Sequence, residues 1–120
     1  MKVERFEDLA VWQEARKMTQ IVYCLTSSGA FSRDWGFRDQ IRRASVSVMS
    51  NIAEGFERDG DKEFRRFLLI AKGSVGEVRA QLYVALDNRF IDTKVFQELY
   101  EMVICISRRL AKLIQYLNEG

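Results

Sequence analysis

The chain has 120 residues, 48% of them hydrophobic and 30% charged, and its 19 basic and 17 acidic side chains give a net charge of +2. This length allows a single domain over residues 1–120, and this composition excludes a disordered chain. Because the net charge is small, only a local cluster of cations can attract phosphate groups.

The sequence also lacks the residues of several common functional sites. It contains no histidine, no glycine-rich phosphate loop and no nucleophile motif, so we expect no enzyme activity, catalytic residue, cofactor or metal site. Cys24 and Cys105 lie in apolar stretches without CxxC spacing, which favours reduced, buried thiols. The charged N-terminus and the lack of a long apolar run predict a cytoplasmic protein without a membrane span or signal peptide.

Apolar residues recur with the 3.6-residue period of a helix along most of the chain. In chain order, the pattern predicts helices over residues 7–27, 35–58, 61–88 and 93–118, with a loop from Ala30 to Trp35 and a turn at Asp59-Gly60. The last helix carries a seven-residue repeat typical of a bundle seam: Phe96, Leu99, Val103, Ile106, Leu110, Leu113 and Leu117. We therefore predict an all-α fold, an antiparallel up-down-up-down four-helix bundle.

Small residues form two strips in the middle helices, at spacings of three and four residues. The strips are Ala44, Ser47, Asn51 and Gly55 on one helix and Gly73, Gly76 and Ala80 on the next. Each glycine costs a helix about 1 kcal/mol relative to alanine, so some interaction must offset this cost. Close packing of the two helices, with Ser47 beside Gly73, is our first interpretation. Close approach by a ligand or nucleic acid is the alternative.

Polar residues accompany the small ones in the same two helices. They are Arg43, Asn51, Glu54, Glu77 and Gln81. A buried charge without a partner is costly, so we interpret these residues as a structural network that fixes the helix register, with Arg43 beside Glu77. A binding role for the network is the alternative.

Basic residues are spaced so that each of three helices carries a stripe of cations. The candidate phosphate contacts are Arg38 and Arg42, one turn apart, and Arg65, Lys72 and Arg79, which recur every seven residues. A further cluster on the last helix consists of Arg108, Arg109 and Lys112. Acids are interspersed among these cations, so a solvated surface of mixed charge is the alternative to phosphate binding.

Several motifs, in this order, resemble a known family. They are Phe6-Glu7-Asp8-Leu9, Val11-Trp12-Gln13, Gln40-Ile41-Arg42-Arg43-Ala44, Ser50-Asn51-Ile52-Ala53-Glu54-Gly55, Lys62-Glu63-Phe64 and Ile70-Ala71-Lys72-Gly73-Ser74. On these motifs, which span nearly the whole chain, the sequence is identified as a member of the bacterial four-helix-bundle proteins named for intervening sequences in 23S ribosomal RNA genes. The resemblance implies a homopentamer. It also implies kinship with the accessory proteins of diversity-generating retroelements, whose basic pentameric barrels work with a reverse transcriptase and nucleic acid.

Two functions are consistent with these observations. The first is a non-enzymatic oligomer that binds structured RNA or another nucleic acid through a basic surface of the assembled ring. The second is a protein-interaction or scaffold module without a nucleic-acid role, in which the arginines form ion pairs between subunits.

Overall fold

The computed structural model describes residues 2–119, which form one short 3₁₀ turn and five α-helices. The turn, Phe6–Asp8, precedes α1 (Ala10–Leu25), and a short helix, α2 (Gly29–Arg33), follows α1. Three long helices complete the fold: α3 (Trp35–Glu57), α4 (Asp61–Asp87) and α5 (Thr93–Glu119). The all-α class predicted from the sequence is confirmed.

The segment before α3 differs from the prediction. The loop expected from Ala30 to Trp35 is wrong because Gly29–Arg33 form α2, whose Phe31 side chain is buried. The Phe31 ring stacks on Phe37 and on Phe90, with centroid distances of 5.5 and 5.0 Å. Burial of an aromatic ring between distant segments therefore stabilises a helical turn that local sequence does not indicate.

The first long helix also begins later than residue 7, where the sequence pattern placed it. Leu9 has an extended backbone, with φ −75° and ψ 125°, and it separates the 3₁₀ turn from the start of α1 at Ala10. The acids Glu7 and Asp8 therefore lie in the preceding turn and not in the first turn of α1.

Polar side chains and one glycine set the starts of the other long helices. Asp34 Oδ1 accepts a hydrogen bond from the Phe37 N–H at 3.3 Å at the start of α3. Gly60 has a φ of +88° between α3 and α4, a left-handed backbone that favours glycine. Asp92 Oδ1 accepts from the Val95 N–H at 2.8 Å at the start of α5.

The four longer helices pack side by side in a body of 46 × 21 × 20 Å. Helix α3 packs against α1 and α4, and α5 packs against the same two helices. Their inward faces form one hydrophobic core, whose largest fully buried side chains are Met18, Val22, Ile41, Val48, Ile52, Leu68, Val75, Val78, Leu82, Val103, Ile106 and Leu110. The predicted seam of α5 faces this core, except that Leu113 is only half-buried.

Contacts between neighbouring helices join the late part of one helix to the early part of the next. Gly55, near the end of α3, lies against Phe67 in the second turn of α4. Ser47, earlier in α3, has its hydroxyl 2.9 Å from that of Ser74, later in α4. The hydroxyl of Ser47 therefore meets Ser74 and not Gly73, the position expected from the sequence.

The glycines of the two small-residue strips have different environments. A Cβ built on Gly55 would lie 2.6 Å from Phe67 Cβ, so α3 and α4 approach closely there. A Cβ on Gly73 or Gly76 would meet no atom within 4 Å, because both residues lie on the outer side of α4. The close-packing interpretation is therefore right for Gly55 and wrong for Gly73 and Gly76.

The two cysteines are exposed and unpaired, so the expected burial of both thiols is wrong. Each one follows a core position by two residues along its helix. Val22 and Val103 are buried, whereas Cys24 and Cys105 point away from the core. An apolar stretch in a helix contributes residues to both sides, and hydropathy alone does not distinguish them.

Candidate nucleic-acid interface

The five predicted phosphate contacts fall into two groups on different sides of the molecule. Arg38 and Arg42 lie on α3 beside α1 and α2, where Arg42 contacts Tyr23 and Thr26. Arg65, Lys72 and Arg79 lie on α4, and the two arginines contact α5. The fold therefore does not bring the five residues together in one protomer.

Arg38 and Arg42 are engaged in contacts within the protein. Arg38 Nε lies 3.1 Å from Asp39 Oδ1, and its Nη1 donates to the Ser32 carbonyl at 3.2 Å. Arg42 Nε donates to Thr26 Oγ1 at 2.8 Å, and its guanidinium lies 4.4 Å from the centre of the Tyr23 ring. These contacts tie α3 to α1 and α2, and the charge of Arg38 is offset by the Asp39 carboxylate.

Arg65, Lys72 and Arg79 form a continuous line of cations, which we call the α4 basic row. Successive members are seven residues apart, or about 10 Å along the helix. Arg79 Nη2 donates to the Tyr100 hydroxyl at 2.7 Å, and Arg65 Nη1 donates to the side-chain oxygen of Asn118. Both partners are neutral, and within residues 2–119 no member of the row lies within 4.0 Å of a carboxylate. The row thus keeps three uncompensated positive charges on one side of α4.

An aromatic cluster that the sequence analysis missed lies at one end of this row. Tyr83 lies 5.0 Å from Phe96 and 6.1 Å from Tyr100, measured between ring centroids, and Phe96 stacks on Tyr100 at 5.5 Å. A hydrogen bond with Tyr100 raises the pKa of the Tyr83 hydroxyl. The four-residue spacing of Phe96 and Tyr100 was a signal for this cluster, but the packing of Tyr83 required the three-dimensional fold.

The predicted polar network is divided into separate contacts. Asn51 Nδ2 donates to the Ser47 carbonyl and hydroxyl at 2.8 and 3.0 Å. Gln81 Nε2 donates to Glu77 at 3.4 Å, and the buried Gln81 Oε1 has no hydrogen-bond partner among the described residues.

The two remaining members of that network lie apart from these contacts. Glu54 pairs with Arg58 one turn away on the surface, at 2.9 Å. No ion pair joins Arg43 to Glu77 in the part of the chain that the structure describes. The contacts of Asn51, Glu54, Glu77 and Gln81 thus each stay within one helix or its C-cap, and the five residues do not form one network.

Beside the basic row, α4 carries an apolar surface that we call the α4 outer face. It consists of Leu69, Ile70, Gly73, Gly76, Ala80, Tyr83 and Val84. The side chains of Leu69, Ile70, Tyr83 and Val84 are 43 to 53% exposed. The open glycines between them cost helix stability without any packing contact inside the protomer. Grouped exposed side chains of this kind mark interaction surfaces more often than scattered ones do.

Two other features are absent from residues 2–119. No group of three or more histidine, cysteine, aspartate or glutamate side chains is placed to hold a metal ion. No helix in this range is long and apolar enough to span a bilayer.

A family model described as 23S rRNA-intervening sequence protein matches residues 7–112 of the chain. The chain belongs to this family. No curated protein matches this sequence.

The fold of this chain is similar to that of a solved structure. That structure is a protein of unknown function from the S23 ribosomal protein family of Bacteroides thetaiotaomicron VPI-5482, with a TM-score of 0.79. The similarity covers 88% of this chain and 98% of the other, at 18% sequence identity, and it therefore shows a shared fold.

The part of the chain that the family model matches contains both candidate surfaces. Residues 7–112 include the whole α4 basic row and the whole α4 outer face. Both surfaces thus lie on the family's shared scaffold, on adjacent sides of one helix.

Proposed function

We propose that the protein is a non-enzymatic, homo-oligomeric four-helix bundle that binds structured RNA or another nucleic acid through the α4 basic row. The observation that carries this proposal is the uncompensated charge of Arg65, Lys72 and Arg79 on one side of α4. Cations without acidic partners favour binding of phosphate groups, because each contact releases a counterion from the nucleic acid.

The arrangement of the helices supports an antiparallel up-down-up-down topology. Arg79 contacts Tyr100 near the start of α5, whereas Arg65 contacts Asn118 near its end. Thr19 in α1 contacts the Ser45 carbonyl of α3 at 3.2 Å, whereas Thr26, just after α1, contacts Arg42, which lies earlier in α3. We infer that each long helix runs opposite to its neighbours, so the basic row lies along the groove between α4 and α5.

The α4 outer face supports self-association. Leu69 and Tyr83 are 53 and 47% exposed, and the glycines between them allow a second helix to approach closely. Copies joined through this face would bring several basic rows near one another, which increases the positive potential that attracts a nucleic acid. Five copies is the number that the family resemblance implies.

Nucleic-acid binding is tested by the anisotropy of a labelled RNA hairpin across a salt series. Three phosphate contacts predict a slope of about −2.7 in log affinity against log salt, or about a 40-fold loss between 50 and 200 mM. The variant Lys72→Gln should weaken binding and reduce the slope by about one for each protomer engaged. Lys17→Gln, an exposed position on α1, is the matched control and should bind as the wild type does.

Two results would contradict the nucleic-acid proposal. One is no measurable binding at about 50 mM salt, where counterion release favours association most strongly. The other is equal affinity of Lys72→Gln and wild type, which would place the contacts outside the basic row. Either result would favour the scaffold function instead.

Assembly is tested separately by light scattering coupled to size exclusion. A pentamer has a mass of about 70 kDa, against 14.0 kDa for one chain. Leu69→Glu should lower the mass without loss of helical circular dichroism, whereas Val46→Glu, on the exposed side of α3, should not. A monomeric wild type contradicts self-association, and an unchanged mass of Leu69→Glu contradicts the α4 outer face as the contact.

A further inference from the structure

A cavity of about 570 Å³ lies on the outer side of α5. Arg108, Arg109 and Lys112 line one end, and Ile104 and Cys105 lie at the middle. Tyr100 and Glu101 line the other end. We call this cavity the α5 trough; its volume is in the range that accommodates a nucleotide-sized ligand.

Two of the three cations of the trough have no acidic partner in the described part of the chain. Arg109 Nε lies 2.5 Å from Glu14 of α1, and contact with Cys105 together with the charge of Glu14 raises the pKa of Arg109. Within residues 2–119, neither Arg108 nor Lys112 has a carboxylate within 4.0 Å. Two cations of the trough thus remain available to an anion.

Arg108 and Lys112 repel each other in the protein without a bound anion, because both lie on the same side of α5. Arg108 and Lys112 are four residues apart, so they lie on the same side of α5, about 6 Å apart along its axis. Like charges at this spacing destabilise a helix by a few tenths of a kcal/mol. The residues one turn away from Arg108 in the other direction are Ile104 and Cys105, which provide no compensating charge. An external anion would remove this repulsion.

The trough is continuous with the α4 basic row through one side chain. The Tyr100 hydroxyl accepts the hydrogen bond of Arg79, the last cation of the row, and the Tyr100 ring lines the trough. An aromatic ring beside cations suits a nucleotide, because the ring contacts the base while the cations hold the phosphates. A strand bound to the row at Arg79 would therefore enter the trough directly.

We propose that the α5 trough binds a nucleotide of the nucleic acid, with its phosphates on Arg108 and Lys112 and its base against Tyr100 and Ile104. This inference rests on the proposed function and extends it to a second helix. Glu101 at the far end repels phosphate, so within the trough the phosphates lie at the Arg108–Lys112 end and the uncharged base lies at the Tyr100 end.

Cys105 reports directly on occupancy of the trough, because its exposed thiol lies at the centre of the lining. The test uses Cys24→Ser, which leaves Cys105 as the single cysteine. The rate of reaction with a neutral aromatic disulfide is measured with and without the RNA hairpin. At a hairpin concentration of about ten times the dissociation constant, roughly 90% of the protein is bound, so the reaction of Cys105 with the disulfide should slow about tenfold.

With the trough engaged, five phosphate contacts predict a slope of about −4.5 for the wild type. The double variant Arg108→Gln with Lys112→Gln, in the Cys24→Ser background, should lose the protection of Cys105 and reduce this slope by about two, to the value expected for the basic row alone. Arg33→Gln, an exposed cation on α2, is the control and should retain full protection. Helical circular dichroism confirms that each variant is folded. Inorganic pyrophosphate is the parallel probe, and it should protect Cys105 much less than the hairpin, since it lacks a base.

The outcomes separate this inference from the proposed function. If the hairpin binds in the anisotropy assay but the Cys105 rate is unchanged, the trough is not part of the interface and the basic row still is. If Cys105 does not react in the absence of RNA, another copy covers the trough and the inference is wrong. If no hairpin binds, both proposals fail.

Discussion

Gly55 provides a sharp test of how α3 and α4 pack, because alanine at this position has no room. The new Cβ would lie 2.6 Å from Phe67 Cβ, 3.1 Å from Phe64 Cδ1 and 3.2 Å from the Phe64 carbonyl oxygen. Non-bonded carbon atoms prefer about 3.5 to 4.0 Å, so the two helices must separate locally by about 1 Å. Phe67 Cβ moves only with the backbone of α4, and a side-chain rotation does not relieve the contact.

The matched control is Gly73→Ala, where the added methyl group meets nothing within 4 Å. Both substitutions gain about 1 kcal/mol of helix propensity, so the difference between them isolates the packing cost. Overpacking of this kind costs about 1–3 kcal/mol. We therefore expect Gly73→Ala to be more stable than the wild type, and Gly55→Ala to be less stable than Gly73→Ala by about 1–3 kcal/mol.

The assay is urea unfolding followed by circular dichroism, in which the midpoint reports stability and the slope reports the exposed area. Because Gly73 belongs to the α4 outer face, both variants are measured at two protein concentrations, so that an effect on association is separated from folding. Equal stabilities of Gly55→Ala and Gly73→Ala would refute the close approach of α3 and α4 at Phe67.

Three other predictions concern single contacts. The hydrogen bond from Arg66 lowers the pKa of Glu63 in the folded protein below its ordinary value of 4.5. The ionised carboxylate therefore stabilises the folded protein above pH 4.5, and this stabilisation is lost as the pH falls through the pKa of Glu63 in the folded state. Glu63→Gln should therefore be less stable than wild type at pH 7, with the difference disappearing in acid; a difference independent of pH would contradict this. Thr26→Val removes the hydroxyl that accepts the 2.8 Å hydrogen bond of Arg42 Nε, and it should lower the free energy of unfolding, measured by thermal denaturation, by about 1–3 kcal/mol. Unchanged stability would show that this contact does not stabilise the fold. Both Cys24 and Cys105 should react with a thiol reagent without denaturant, and two unreactive thiols would mean that assembly covers them.

The sequence was sufficient for the all-α class because the seam of α5 buries residues at every third or fourth position. The sequence was insufficient to predict which glycines lie at the contact between α3 and α4. Gly55 and Gly73 follow the same kind of spacing, but Gly55 lies between the two helices and Gly73 lies on the outer side of α4. Periodicity shows which residues share a side of a helix, but it does not show what lies opposite them.

The basic residues show the same limit at the candidate interface. The seven-residue spacing correctly indicated that Arg65, Lys72 and Arg79 share one side of α4. The spacing of Arg38 and Arg42 suggested a similar surface, but Arg42 packs on Tyr23, nineteen residues earlier in the chain. Such a partner depends on which helices are neighbours, and a local pattern does not contain this information.

The difference in length between α1 and the other long helices has a consequence for partial opening of the fold. Helix α1 has 16 residues, or about 24 Å, whereas α4 and α5 each have 27, or about 40 Å. The more extensive packing joins α3 to α4 and α4 to α5, so these three helices form a unit against which α1 rests. In native-state hydrogen exchange, the amides of α1 should exchange through an opening that leaves α3, α4 and α5 protected. Such an opening exposes Met18 and Val22 to solvent and makes α1 the first part of the bundle to become accessible to chaperones or proteases.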